Sequence, residues 1–179
     1  MRIAICEYGA GNVRSVELAF ERLGVEVGGD AATADLAVLP GVGSAAAAMR
    51  GLRARRLDDV LRARVDEGRP VLGICLGLQL ALEESEEDGG VECLGILAGR
   101  AVRLREGRVP RIGWAEVDEL GQAFYFAHSY AAVTSAAVAT SEGVVAVARA
   151  GSFTGVQFHP EKSGAAGARF LETMCLSLV

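Results

Sequence analysis

A single cysteine, Cys75, lies between two glycines where a buried strand changes into a helix. The apolar run at 71–74 is typical of a strand buried on both faces, and the residues after Cys75 favour a helix. The spacing Gly73-x-Cys75-x-Gly77 is the thiol version of a nucleophile elbow, whose glycines avoid clashes at a tight turn. A helix N-terminus also favours thiolate over thiol. We therefore predict that Cys75 is a nucleophile; the alternative is a buried core cysteine.

A thiolate needs a base, and the chain has only two histidines, His128 and His159. His159 lies at the end of a predicted strand, in the segment GVQFHPE at 155–161. Pro160 disfavours helical backbone at His159, so we expect an extended segment in which alternate residues share a side. Glu161 is then predicted to contact one ring nitrogen while the other faces the nucleophile. The alternative is a surface histidine beside an unrelated glutamate.

Acyl transfer also requires N–H donors for the developing oxyanion. The N–H of Leu76, directly after the nucleophile, is one candidate. The second is the loop Pro40–Ser44, which follows a predicted strand, opens a helix and lacks the lysine and spacing of a phosphate-binding P-loop. Gln79 lies one helical turn beyond Cys75, on the same face of the predicted helix.

These residues need a scaffold, and the first half of the chain alternates strands with helices. We predict strands at 3–6, 25–27, 36–39 and 71–74, and helices at 13–23, 45–49 and 57–65, with Asn12 capping the first helix after a turn at 8–12. This alternation predicts an α/β fold whose mainly parallel sheet has helices on both faces.

The pattern changes after the acidic and glycine-rich segment at 87–90. Short β-rich segments follow, which we expect to form antiparallel strands flanking the parallel core: 101–104, 114–117, 124–127, 136–140, 144–148 and 154–158. A final helix at 165–178 closes the fold. We find no linker or repeat, so residues 1–179 are predicted to form one domain.

Composition excludes several classes of function. The 179 residues are 51% hydrophobic, enough for one well-cored domain, and a net charge of −5 argues against nucleic acid or anionic membrane as a partner. The four cysteines form no C-x-x-C pair, so we expect no metal site. With neither a signal peptide nor an apolar run near the roughly 20 residues of a membrane span, we expect reduced thiols and a cytoplasmic protein. The arginines at 50–69 are interleaved with carboxylates, which indicates a solvated helix face.

Together the segments GICLGLQ (73–79), PGVGS (40–44) and GVQFHPEKS (155–163) resemble the class I, triad-type glutamine amidotransferases. More narrowly, YGAGNVRSV (8–16), PRIGW (110–114) and FAHSY (126–130) resemble the glutaminase subunits of imidazole glycerol phosphate synthase. The resemblance covers essentially the whole chain. Glu7 and Ala115 depart from it, since the family usually has Asp and Asn at these positions, and neither belongs to the triad.

The resemblance implies a flavodoxin-like fold, no cofactor and a defined chemistry. Cys75 would attack the side-chain carboxamide of glutamine, and His159, oriented by Glu161, would protonate the departing ammonia and then activate water. The N–H groups of Val42 and Leu76 would hold the oxyanion. The implied glutamine-binding residues are Gly41, Gly43, Gln79, Glu87, His128, Ser129 and Tyr130.

The resemblance also implies a partner. Such a subunit docks on a separate (β/α)8-barrel cyclase subunit and passes ammonia into it. The cyclase converts a phosphoribulosyl-formimino carboxamide nucleotide (PRFAR) into imidazole glycerol phosphate and AICAR in histidine biosynthesis. The docking face is expected around the active site, with Asn12, Trp114, Tyr125 and Lys162 as interface candidates.

Three alternatives remain open from the residues. Another class I glutaminase subunit, serving pyridoxal phosphate, anthranilate or GMP synthesis, is disfavoured by the YGAGN and PRIGW segments. A non-catalytic glutamine-sensing module is disfavoured because Cys75, His159 and Glu161 are all present. A thiol hydrolase or peptidase is disfavoured by Gln79 and the PGVG loop.

Overall fold

A seven-stranded sheet forms the centre of the protein. The computed structural model describes residues 1–9 and 12–178, so positions 10 and 11 of the predicted turn at 8–12 lie outside the described residues. The strands of this sheet are β1 (Arg2–Ile5), β2 (Glu26–Val27), β3 (Leu36–Leu39), β4 (Val71–Ile74), β11 (Ala137–Ser141), β12 (Val144–Ala150) and β13 (Phe153–Val156). Their order across the sheet is β11-β12-β13-β4-β3-β1-β2.

The parallel core predicted from the alternation of strands and helices is confirmed. Strands β2, β1, β3, β4 and β13 pair in parallel, and β12 and β11 extend the sheet in antiparallel fashion. The segment predicted at 154–158 as an antiparallel strand beside the core lies within the main sheet instead: β13 pairs antiparallel with β12 and parallel with β4, with Gly155 opposite Gly73. All four residues of β13 are buried, as in a central strand, and a short apolar run does not reveal its pairing partner.

Helices cover both faces of this sheet. On one face lie α2 (Ala45–Ala54) and α3 (Leu57–Asp66), and on the other lie α1 (Val13–Glu21) and α5 (Gly164–Leu176). Strand β3 serves both cores, since Ala37 and Leu39 face α2 and α3 while Leu36 and Val38 face α1 and α5. The short helix α4 (Leu76–Ala81) begins directly after β4 and is buried throughout.

The middle of the chain forms two further sheets. A four-stranded sheet has the order β10-β7-β5-β6, and a hairpin joins β8 to β9. Their strands are β5 (Glu84–Ser85), β6 (Val91–Glu92), β7 (Arg100–Arg103), β8 (Arg111–Val117), β9 (Gln122–His128) and β10 (Tyr130–Val133). The segments at 101–104, 114–117 and 124–127 are therefore strands, as predicted, and they flank the core as separate sheets rather than as additions to the main one. Strands β5, β6 and β10 were not predicted; β5 and β6 are two residues each and carry no periodic signal.

Within residues 1–9 and 12–178, no helix is both long enough and apolar enough to cross a membrane.

Candidate active site

Cys75 occupies a strained turn between β4 and α4. Its φ of 54° and ψ of −105° lie in a region that non-glycine residues rarely adopt, and its N–H donates to the Val156 carbonyl across 2.7 Å. The flanking glycines are required by space. A Cβ at Gly77 would overlap the Leu39 carbonyl oxygen, and one at Gly73 would lie 2.8 Å from the carbonyl carbon of Gly77. The expected crowding is present, and it fixes the cysteine at the edge of the sheet.

A cavity of about 230 Å³ lies beside Cys75. Its size suits a ligand smaller than the drug-sized molecules that fill sites of roughly 300–1,000 Å³. It is lined by Val42, Gly43, Cys75, Leu76, Gln79, Glu87, Pro110, Ile112, Ala127, His128, Ser129 and Tyr130. The structure therefore brings most of the predicted substrate-binding and oxyanion residues together, and it adds Pro110, Ile112 and Ala127.

His159 and Glu161 form a buried pair. Nδ1 of His159 lies 2.8 Å from Oε1 of Glu161, and each side chain is only 3% exposed. The backbone of His159 is extended, as Pro160 predicts, but the segment Pro160–Lys162 is a 3-10 turn rather than an extended strand. The prediction of alternating sides was thus wrong in its geometry, because this turn, and not a pleat, brings the carboxylate to the ring.

The main chain fixes the position of the His159 ring. The His159 N–H donates to the Tyr125 carbonyl across 2.8 Å, and its carbonyl accepts from Oγ of Ser163 at 2.6 Å. The same Oγ accepts the N–H of Tyr125 at 2.9 Å, so Ser163 joins β9 to the turn at Pro160–Lys162. No sequence signal marked Ser163, since a serine at a helix start is ordinary.

The surroundings of His159 favour its charged form. Burial lowers the pKa of the ring, but its interactions with Cys75 and Glu161 outweigh this and raise the pKa to about 9. Since Nδ1 faces the carboxylate, Nε2 is the nitrogen left for the sulfur, and it has no hydrogen-bond partner among the described residues. A cationic imidazole beside Cys75 stabilises a thiolate.

Gln157 also contacts the sulfur, which the sequence analysis missed. Its Nε2 donates to Sγ of Cys75 across 3.5 Å, and its Oε1 accepts from Nε2 of Gln79 at 3.1 Å. Nε2 of Gln79 also donates to the Tyr130 carbonyl at 2.7 Å. The amide N–H groups of Gln79 are thus committed to the protein, which leaves its oxygen to face a ligand. The sequence did hold a signal for this contact. Gln157 lies two residues before His159, and alternate residues of an extended segment share a side.

The loop at 40–44 approaches the start of α4. The Leu76 N–H is the first of its helix and has no intrahelical acceptor. Val42 and Gly43 line the cavity, whereas Gly41 is buried beneath it, where a Cβ would lie 2.7 Å from Cβ of Leu76. The hydroxyl of Tyr8 donates to the Pro40 carbonyl at 2.6 Å, and burial raises the pKa of this hydroxyl. Because this hydroxyl stays protonated, Tyr8 continues to donate to the Pro40 carbonyl and holds the loop in place.

His128 is neutral at physiological pH. Burial lowers its pKa to about 4, and the charge of Arg111 acts in the same direction. Its Nδ1 lies 2.9 Å from the Tyr130 carbonyl, which only accepts, so Nδ1 carries the proton and Nε2 is an acceptor. This Nε2 is buried without a partner in the described part of the chain. The cavity wall therefore offers an acceptor to a ligand.

Glu87 brings a carboxylate to the cavity. One oxygen, Oε2, accepts the N–H of Ala45 at 2.8 Å, the first N–H of α2. Burial raises the pKa of this carboxyl. Its neighbour Asp88 binds Ser44 and Ala46 at the same helix start, so the two acidic residues have separate partners. Glu87 is thus a cavity residue rather than one more member of a solvated acidic run.

Three of the four interface candidates form one exposed patch. Trp114 is 58% exposed and packs edge-on against Tyr125, with ring centroids 6.2 Å apart. Nζ of Lys162 lies 6.0 Å from the Tyr125 ring. Asn12 caps α1 by accepting the N–H of Ser15 at 3.4 Å, and α1 contacts the turn that carries Lys162. An exposed tryptophan beside the cavity fits a surface that another molecule covers.

Burial raises the pKa of the other three thiols, Cys6, Cys93 and Cys175. The pKa of Cys6 rises to about 12 and that of Cys93 to about 11, so both are neutral thiols. All four cysteines are free. Within the described ranges, no three His, Cys, Asp or Glu side chains are grouped to hold a metal ion.

Comparison with known proteins places the chain in one family. A family model described as glutamine amidotransferase class-I matches residues 12–177. The chain is 42% identical to a protein from Exiguobacterium sibiricum over 98% of this chain and 97% of the relative, named imidazole glycerol phosphate synthase subunit HisH. Proteins of the same name from Cutibacterium acnes and Symbiobacterium thermophilum are 40% and 42% identical over 96% and 95% of this chain, and over 94% and 91% of their own lengths.

Solved structures share the fold at low identity. A crystal structure of a glutamine amidotransferase superposes with a TM-score of 0.75 at 23% identity, covering 98% of this chain and 97% of the other. The PurLQS structure from Thermotoga maritima gives a TM-score of 0.75 at 18% identity, covering 99% of this chain and 98% of the matched one.

Proposed function

We propose a function from the premise that this chain belongs to the class-I glutamine amidotransferases, and within them to the imidazole glycerol phosphate synthase HisH subunits. The chain is the glutaminase subunit: it hydrolyses glutamine to glutamate and ammonia, and it delivers the ammonia to a (β/α)8-barrel cyclase subunit. The cyclase uses it to form imidazole glycerol phosphate and AICAR from PRFAR in histidine biosynthesis. Four free cysteines support a reducing cytoplasmic setting.

One observation carries the proposal. The His159 ring is held at 2.8 Å by the Glu161 carboxylate, its Nε2 is unpartnered in the described part of the chain, and the ring interacts with Cys75, which lines an amino-acid-sized cavity. A nucleophile, a base and an orienting acid in this relation are the requirement for acyl transfer through a thioester.

The reaction has two halves. The Cys75 thiolate attacks the carboxamide carbon of glutamine, and the negative charge that develops on oxygen is held by the N–H groups of Leu76 and Val42. The proton on Nε2 of His159 passes to the departing nitrogen, which leaves as ammonia, and a γ-glutamyl thioester remains. His159 then takes a proton from water, whose oxygen attacks the thioester carbon. The C–S bond breaks, and glutamate and the Cys75 thiolate are regenerated.

The cavity recognises the other end of glutamine. The Glu87 carboxylate pairs with the substrate α-ammonium, and the Gln79 oxygen and the neutral His128 Nε2 accept from substrate N–H groups. Gly43, Ser129 and Tyr130 complete the wall. Gly41 acts through packing under Leu76, since it does not line the cavity.

The partner docks on the patch formed by Trp114, Tyr125 and Lys162, with Asn12 at its edge. This surface adjoins the cavity through Ile112, which lines it and is 61% exposed. Lys162 directly follows Glu161, so a contact with the partner at Lys162 reaches the triad within one residue. We expect the isolated chain to be nearly inactive, because the glycines flanking Val42 leave its donor loop flexible until the partner and its ligand bind.

The test is a mixing experiment. Glutamate release is measured for the chain alone, with the cyclase subunit, and with the cyclase subunit plus PRFAR, using Cys75→Ala as the inactive control. We expect strong release only in the complete mixture and none from the variant. Full turnover by the lone chain would contradict partner gating. Failure of a glutamine-derived affinity label to form a Cys75 adduct would instead indicate a non-catalytic sensor.

A further inference from the structure

A second and larger groove, of about 780 Å³, lies beside strand β7 and the loop that follows it. Val102, Leu104, Val133 and Val144 contribute apolar walls, and the charged lining consists of Arg100, Arg103, Arg105, Arg108, Arg111, Glu86, Glu106 and Glu142. We propose that this groove binds a small molecule that carries phosphate groups.

The charge of the groove is poorly compensated. Arg111 pairs with Glu142 at 2.9 Å, but none of the other four arginines has a carboxylate oxygen within 4.0 Å among residues 1–9 and 12–178. Glu86 is committed elsewhere, since its Oε2 accepts the backbone N–H of Arg103 at 3.2 Å. The lining holds five arginines and three glutamates, so its formal charge is +2. This positive groove lies on a chain whose net charge is −5.

The high arginine content of the chain does not explain the groove. The arginines at 50–69 sit among carboxylates, and Arg53, Arg56, Arg62 and Arg69 each lie within 4.0 Å of one. Arg64 is buried and donates to backbone carbonyls, including those of Ala31 and Ala34. Most arginines outside the groove are thus paired or hydrogen-bonded, whereas Arg100, Arg103, Arg105 and Arg108 are exposed and have no carboxylate partner in the described part of the chain.

Guanidinium groups in a concave site favour phosphate. Each presents a planar fork that matches two phosphate oxygens, and several around one groove can neutralise a di- or trianion. The volume lies within the roughly 300–1,000 Å³ of small-molecule sites. The valine and leucine walls provide contact for the uncharged part of such a ligand.

The groove adjoins the glutamine cavity through one strand. Arg103 lies opposite Tyr130 in the β7–β10 pairing, and the Leu104 N–H donates to the Ser129 carbonyl at 2.9 Å. Tyr130 and Ser129 also line the cavity at Cys75. A ligand on these arginines would therefore rest against the back of the glutamine-binding wall.

The test is calorimetric titration of inorganic pyrophosphate, at constant ionic strength in chloride, into the chain and into its complex with the cyclase subunit. We expect saturable binding of one equivalent to both. The triple substitution R103Q/R105Q/R108Q should weaken it at least tenfold. The control is R55Q. It removes an exposed arginine that lies outside the groove and also lacks a carboxylate within 4.0 Å in the described chain.

Three results would overturn the proposal: no saturable binding, equal affinity in the triple variant, or loss of binding when the cyclase subunit is added. The last would assign the groove to an acidic surface of the partner. Circular dichroism confirms folding of each variant. If the triple variant does not fold, R105Q alone, in the exposed loop, must weaken binding for the proposal to stand.

Discussion

The side-chain amide of Gln157 donates to the sulfur of Cys75 across 3.5 Å from a position that is fully buried. A donor that points at a group able to carry negative charge favours its charged form. Gln157 is itself held by Gln79, whose amide donates to its oxygen at 3.1 Å. The sulfur of Cys75 thus receives a hydrogen bond from a neutral amide, whereas Nε2 of His159 has no partner in the described part of the chain.

The substitution Gln157→Glu should therefore impair the nucleophile while keeping the shape of the side chain. It replaces the donor with an acidic group, so alkylation of Cys75 by iodoacetamide at fixed pH should slow by about tenfold or more, since a hydrogen bond to a charged group contributes about 1.5–3 kcal/mol. The kcat for glutamine should fall more than KM rises. The control is Gln122→Glu on the surface, where the residue contacts Arg169. An unchanged alkylation rate would exclude this role.

His128 and His159 should give the stability of the protein opposite pH dependences. The folded-state pKa of His128 is lowered to about 4, so its contribution is present above the unfolded value of 6.5 and is lost as pH falls from 6.5 towards 4. That of His159 is raised to about 9, so its contribution is present below 6.5 and is lost as pH rises towards 9. Each slope is at most about 1.4 kcal/mol per pH unit.

Urea unfolding across pH 4–9 measures both slopes. In a plot of the free energy of unfolding against pH, His128→Gln should flatten the acid side and leave the alkaline side unchanged. His159→Gln should do the reverse. Each variant serves as the control for the other, because the two side chains are buried to a similar degree. If either variant changed both sides of this plot equally, the assignment of the two sides would fail.

Gly77→Ala should prevent the elbow from forming. The added Cβ would overlap the Leu39 carbonyl oxygen, which belongs to the strand next to β4 and cannot move independently. We expect a loss of several kcal/mol in the free energy of unfolding, in the upper range for buried sites. Gly68→Ala is the control, since its Cβ meets open space and only its φ of 73° is strained, at about 1–2 kcal/mol. Equal losses would show that packing at the elbow does not matter.

Lys162→Ala should weaken coupling to the cyclase subunit. Nζ of Lys162 is 6.0 Å from the Tyr125 ring, in the exposed patch beside the triad. We expect a several-fold loss of affinity for the cyclase and reduced stimulation of glutaminase by PRFAR, measured by titrating the cyclase into the chain. Arg55→Ala, on the exposed end of α2, is the control. Unchanged affinity together with unchanged activation would remove Lys162 from the interface.

Local signals were sufficient where neighbouring residues determine the conformation. Pro70, the apolar run and the paired glycines define β4 and the elbow within ten residues, and the structure has both at the predicted positions. The outcome for β13 was different. Its apolar run fits an antiparallel hairpin with β12 and a parallel pairing with β4 equally well, and the structure uses both.

The sequence by itself determined which reactive groups are present, because a cysteine between glycines and an H-P-E segment are local patterns, and its motifs resemble one family closely enough to predict the chemistry. Only the tertiary structure decided what each group contacts. Gln157 meets Cys75 across 82 positions of chain, and Trp114 stays on the surface rather than in the core. The grouping of arginines along one groove beside β7 is likewise a result of the fold. Such contacts depend on how strands register and sheets pack, and no local pattern of residues encodes those distances.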